Sequence, residues 1–122
     1  MGMGKILVVD DSAFARMRTA KLLADNGFEV EEAANGAEAV RKYQQVRPTL
    51  VLMDITMPVM DGLQALREIK RQDASARVVM CSALGQKSVV LEAIKAGAVD
   101  FLVKPLQPQR LLDVVRKHGH AS

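Results

Sequence analysis

Two adjacent acids follow an aliphatic run near the start of the chain: Ile6-Leu7-Val8-Val9, then Asp10 and Asp11, then Ser12. A third acid, Asp54, closes a second apolar run, Leu50-Val51-Leu52-Met53. Further on, Ser82 follows Val78-Val79-Met80-Cys81, and Lys104 follows Phe101-Leu102-Val103. Four aliphatic residues in a row read as a strand buried on both faces. Adjacent carboxylates repel each other and are poor strand formers, so something must offset their placement there. One reading is helix capping, because Asp and Ser favour the N-cap and acids interact well with a helix N-terminus. That accounts for Asp11 or Ser12 and leaves the second carboxylate without a role. The other reading is a metal site. On this motif alone the two stand level.

The elements that must position these side chains are legible as an alternation. Strand-like runs fall at about 5–9, 28–33, 50–53, 77–81 and 100–103, and helix-period stretches at about 12–26, 37–46, 63–72, 88–96 and 109–117. Asn26-Gly27 and Ala96-Gly97 look like helix ends, where glycine takes a positive φ without a Cβ clash. Asn35-Gly36 could turn a hairpin, but a helix-period segment follows, so a helix start is the better reading. Five strands alternating with five helices imply a single α/β domain with a parallel sheet covered on both faces. In such open sheets ligands bind beyond the carboxyl ends of the strands, where the strand order switches.

The chemistry-bearing residues sit at those ends, with only Ala33-Ala34 at the second. If the first and third strands are neighbours, three carboxylates converge. Two such charges about 5 Å apart repel by roughly 3 kcal/mol at an effective dielectric of about 20. A hard divalent cation is a natural counter-charge, and Mg²⁺ uses few carboxylates, keeps waters and completes its shell with phosphate oxygens. Lys104 adds a fixed positive charge suited to phosphate, and Ser82 adds a hydroxyl donor. The set suits phosphoryl transfer to a carboxylate nucleophile.

The stretches Val9-Asp10-Asp11-Ser12, Met53-Asp54-Ile55-Thr56-Met57-Pro58, Asp61-Gly62, Cys81-Ser82-Ala83, Gly97-Ala98-Val99-Asp100-Phe101 and Val103-Lys104-Pro105 together resemble a response-regulator receiver domain. The likeness runs from about residue 5 to 117. Each motif is weak alone, and their joint order and spacing are specific. Ser12-Ala13-Phe14-Ala15-Arg16, Ser82-Ala83-Leu84-Gly85-Gln86 and Lys104-Pro105-Leu106-Gln107-Pro108 are most similar to single-domain chemotaxis regulators of the CheY type. The resemblance implies a doubly wound (βα)5, flavodoxin-like fold with strand order 2-1-3-4-5.

It also implies roles. Asp54 would accept a phosphoryl group from a sensor histidine kinase of the CheA-like kind. Asp11, Asp54 and the backbone carbonyl of Thr56 would bind Mg²⁺, with Mn²⁺ as a substitute, and Asp10 would act through a metal-bound water. Lys104 would pair with the phosphate. Ser82 would be the switch hydroxyl and Phe101 the aromatic that follows it. The family often has Tyr at position 101, and Phe lacks the hydroxyl that reports its position. A cis bond before Pro105 is expected. The output would be a flagellar motor switch or another partner protein, with a phosphatase as a further partner. Leu84 has no amide or acid to hold an attacking water, which implies slow to moderate self-dephosphorylation that needs a helper phosphatase for fast signalling. A phosphorelay intermediate, an isolated receiver of a larger regulator and a phosphorylation-independent adaptor are the alternatives.

Bulk properties agree. At 122 residues the chain fits one domain, read as 1–122 with an ordered core at about 5–117 and no effector domain after it. No apolar run is long enough to span a membrane, and Met1-Gly2-Met3-Gly4-Lys5 has no signal-peptide core. The expected location is cytoplasmic and the expected state a monomer. Cys81 has no partner thiol and reads as a small buried hydrophobe. A net charge of +3 without a basic run, one Tyr and three Phe argue against a nucleic-acid surface. Met57 and Met60 read as loop packing, and His118 and His120 as a frayed tail. A haloacid-dehalogenase-type phosphatase needs a second acid where Thr56 stands. A flavodoxin needs a phosphate loop where Asp10 and Asp11 would repel the ligand.

Overall fold

The computed structural model describes residues 4–119, so the leader reading at residues 1–3 and the tail reading at His120 lie outside it. The chain runs β1 (Lys5–Val9), α1 (Ala13–Asp25), β2 (Glu29–Ala33), α2 (Gly36–Val46), β3 (Leu50–Asp54), α3 (Gly62–Gln72), β4 (Val78–Ser82), α4 (Lys87–Lys95), β5 (Asp100–Val103) and α5 (Pro108–His118). The five strands are parallel in the order β2-β1-β3-β4-β5, as expected.

Successive strand residues face opposite sides of a sheet, and this divides the core in two. Leu7, Val9, Val51, Met53, Val78 and Met80 point to one side, where they meet Tyr43 of α2, Leu66 and Ile69 of α3 and Ala93 of α4. Ile6, Val8, Leu50, Leu52, Val79 and Cys81 point to the other, where they meet Leu23 of α1 and Leu111 and Val115 of α5. A strand covered on both faces must be apolar throughout, which is why β1, β3 and β4 read as continuous runs. β2 departs from that reading. It begins one residue later than expected, its sequence is EVEEA, and only Ala33 is buried. It lies at the sheet edge, where Glu29, Glu31 and Glu32 guard against further pairing.

Helix starts carry their own signals. Ser12 caps α1 by accepting the Ala15 N–H at 3.2 Å. Asn35 caps α2 through the Glu38 N–H at 2.9 Å, so Asn35-Gly36 is a helix start. Asp61 and Gln64 form a reciprocal capping box on α3. Gly27 and Gly97 lie at φ 92° and 112° beyond α1 and α4. Met57 is buried in the core and Met60 packs against it, which bears out loop packing. The tail reading of His118 is corrected: it is the last residue of α5, and its Nε2 lies 3.2 Å from Asp100 at the start of β5. Its carbonyl also accepts from Arg77 at 2.7 Å, so neighbouring elements anchor the helix end.

Candidate functional site

Register brings the acids together. Val9 pairs with Met53 across β1 and β3, so the next residues, Asp10 and Asp54, end up side by side. Asp54 pairs in turn with Cys81, and Ser82 with Val103. Asp54 and Ser82 are the final residues of their strands, one position inside the ends expected from sequence. The Lys104 N–H donates to the Ser82 carbonyl at 2.7 Å, which fixes the lysine at the same edge. The Lys104–Pro105 peptide bond is cis, as expected.

One ammonium serves two buried carboxylates. Lys104 Nζ lies 3.0 Å from Asp54 Oδ2 and 3.2 Å from Asp10 Oδ2. Asp10 Oδ1 also accepts the Ser12 N–H at 2.9 Å. The capping reading therefore holds for Ser12, and Asp10 steadies Ser12 while lying beside Asp54. Asp11 is exposed and forms no hydrogen bond or ion pair with another described residue. Oxygens of Asp10, Asp11 and Asp54 lie within 4.8 Å of one another.

The electrostatics reflect this crowding. Burial pushes the Asp54 carboxyl above its ordinary value; the hydrogen bond and charge of Lys104 oppose the shift, and Asp10 and Asp11 add to it. Burial pulls Lys104 down, but the hydrogen bond and charge of Asp54, joined by Asp10, outweigh it and leave the lysine above its usual range. Three carboxylates face one ammonium, and the most exposed acid opens the cluster to solvent. An all-oxygen donor set with surplus negative charge fits a hard divalent cation. Cys81, just behind, is buried and its thiol is pushed up to about 12 by desolvation, so it is inert.

Ser82 is buried, with its hydroxyl 3.5 Å from the Leu102 carbonyl, a long contact. Phe101 is not core; it is 39% exposed on β5 and lines a cavity of about 360 Å³ with Ser82, Leu84, Ile94 and Val103. Thr56 stands in the loop after β3, and Leu84 is almost fully exposed after β4. Two residues gained no role from sequence. Arg16 donates to the Asp10 carbonyl at 2.7 Å and to Glu32 at 3.0 Å, pinning the end of β1 to α1 and β2. Its signal is its place one helical turn after the Ser12 cap. Gln86 bonds Ala83 and Thr56 across two loops, and nothing in its local sequence announces that reach.

Strand-end acids and a bridging lysine gather at one edge of a doubly wound parallel α/β sheet, and residues 6–116 match the response regulator receiver domain family. The chain belongs to that family. Among its relatives, it is 59% identical over 114 residues to the chemotaxis protein CheY of Bacillus subtilis, covering 93% of this chain and 95% of the relative. It is 51% identical over 117 residues to CheY of Thermotoga maritima, covering 94% and 98%. A chain of the CheX–CheY–BeF3–Mg²⁺ complex from Borrelia burgdorferi superposes with a TM-score of 0.87 at 40% identity, covering 93% of this chain and 87% of that one. Among the described residues, no helix is long and apolar enough to cross a membrane.

Proposed function

We propose that the protein is a cytoplasmic and monomeric chemotaxis response regulator that accepts a phosphoryl group on Asp54. The observation that carries this is the placement of Asp54: buried at the end of β3, bonded to Lys104, beside two further acids. Asp10, Asp11, Asp54 and the Thr56 carbonyl would hold Mg²⁺, or Mn²⁺ in its place. The ion would supply charge neutralisation for the phosphoryl oxygens.

The rest falls to the chain's own residues. One Asp54 oxygen attacks the phosphorus of a kinase phosphohistidine. An O–P bond forms as the P–N bond breaks, and the imidazole leaves with the electron pair and takes up a proton. Lys104 turns from the Asp54 carboxylate to the new phosphoryl oxygens as a point charge. Ser82 donates its hydroxyl to one of them, and Phe101 follows into the cavity beside it. The surface of α4, β5 and α5 then changes its affinity for the output partner. The protein catalyses only its own phosphorylation and dephosphorylation. Near-complete coverage of CheY relatives supports the chemotaxis assignment, with a CheA-like kinase as donor and a flagellar motor switch and a phosphatase as partners.

Phosphotransfer from purified, autophosphorylated kinases tests this reading. Label is expected to pass rapidly from a chemotaxis-type kinase to wild type and not to Asp54→Asn. Transfer only from kinases of another class would contradict the chemotaxis assignment and point to a relay or an isolated receiver.

A further inference from the structure

We propose that Gln86 is a positioning residue whose carboxamide competes with phosphoryl oxygens for the Ala83 N–H and so sets how readily the site takes a phosphoryl group. Gln86 immediately precedes α4, yet its side chain makes no capping bond to that helix. Its Oε1 instead accepts the Ala83 N–H at 2.7 Å, and its Nε2 donates to the Thr56 hydroxyl at 2.9 Å. One side chain thus joins the loop after β4 to the loop after β3, the two loops that leave Ser82 and Asp54.

Little else restrains this stretch of chain. Leu84 is 83% exposed, and Gly85 sits at φ 89° with open space where a Cβ would point. Ala83 lies one residue beyond Ser82, at the sheet edge that carries Asp54. Its N–H is therefore a ready donor to an oxygen arriving on Asp54, and Gln86 holds it with a short bond. Making one contact requires giving up the other. A ligand shifts such an equilibrium only by its differential affinity for the two forms. Loosening the competing tie therefore strengthens apparent binding.

The inference rests on the proposed function, and beryllofluoride with Mg²⁺ as a phosphoryl mimic separates the two. Its affinity would be measured for wild type, Asp54→Asn, Gln86→Ala, Thr56→Val and the Gln86→Ala/Thr56→Val pair. Gln86→Ala is expected to bind about fivefold tighter than wild type, the equivalent of one ordinary hydrogen bond. Thr56→Val is expected to bind tighter by a smaller factor. The pair is expected to match Gln86→Ala alone, because both changes break the same tie. Equal or weaker binding by Gln86→Ala, or fully additive effects in the pair, would overturn the role of Gln86 while wild-type binding upheld the parent reading. Failure of wild type to bind would overturn both.

Discussion

Lys104 pairs with both Asp54 and Asp10, while Asp11 faces solvent beside them with no cationic partner among the described residues. Asp11→Asn should weaken Mg²⁺ binding by about tenfold or more and raise the melting temperature of the metal-free protein, because it removes a ligand and a repulsive charge together. Calorimetric Mg²⁺ titration and thermal denaturation in chelator check both halves, and unchanged Mg²⁺ affinity would exclude Asp11 as a ligand. Asp54 gives a pH signature. Its folded pKa is raised above its ordinary value of 3.8, so its stabilising contribution is complete below that value and is lost as pH rises through the folded pKa. In chelator, Asp54→Asn should therefore melt higher than wild type at pH 7, and the gap should close on acidification to about pH 4. The acids and Lys104 were legible in sequence because the strand-end rule needs only chain order. Arg16 and Gln86 were not, because long side chains make their contacts across loops and sequence spacing does not encode that reach.

At the level of elements, the loop from β3 to α3 carries a cost. Val59 sits at φ 68°, a left-handed conformation that β-branched residues resist, and it is 84% exposed with little packing to lose. Val59→Asn should stabilise the protein by about 1 kcal/mol, read as a higher denaturation midpoint. Between α2 and α3, the Tyr43 hydroxyl donates to Asp73 at 2.7 Å. Burial, then the bond to Asp73, pushes Tyr43 up to about 12. Hydrogen bonds from Ser75 and Tyr43 hold Asp73 at about 2. Stability from Tyr43 is thus present below its ordinary value and lost as pH climbs toward about 12, and stability from Asp73 is lost as pH falls from 3.8 toward about 2. The chain has one Tyr and no Trp, so phenolate absorbance reports Tyr43 alone. Its midpoint should fall to about 10 in denaturant. β1, β3 and β4 were plain in sequence because burial on both faces forces an apolar run. β2 and the end of α5 were less so. An edge strand accepts charge, and the anchoring of His118 depends on Asp100 and Arg77, far away in sequence.

Across the whole molecule, the sheet separates two helical layers, while the site spans the carboxyl ends of β1, β3, β4 and β5. Sequence alternation reached the parallel sheet covered on both faces, and the receiver resemblance its strand order; the register, which places Asp10 beside Asp54 and Ser82 beside Val103, was not legible. Leu84 offers no group to orient water over Asp54. Self-dephosphorylation should be slow to moderate, and a phosphoryl half-life of about a second or less in the isolated protein would contradict this. The central claim, that Asp54 accepts a phosphoryl group, is tested most directly by intact mass after incubation with Mg²⁺ and a small-molecule phosphodonor. Wild type should gain the mass of one phosphoryl group, and neither Asp54→Asn nor wild type in EDTA should gain it. No gain in wild type while a control receiver is modified, or an equal gain in Asp54→Asn, would contradict the account.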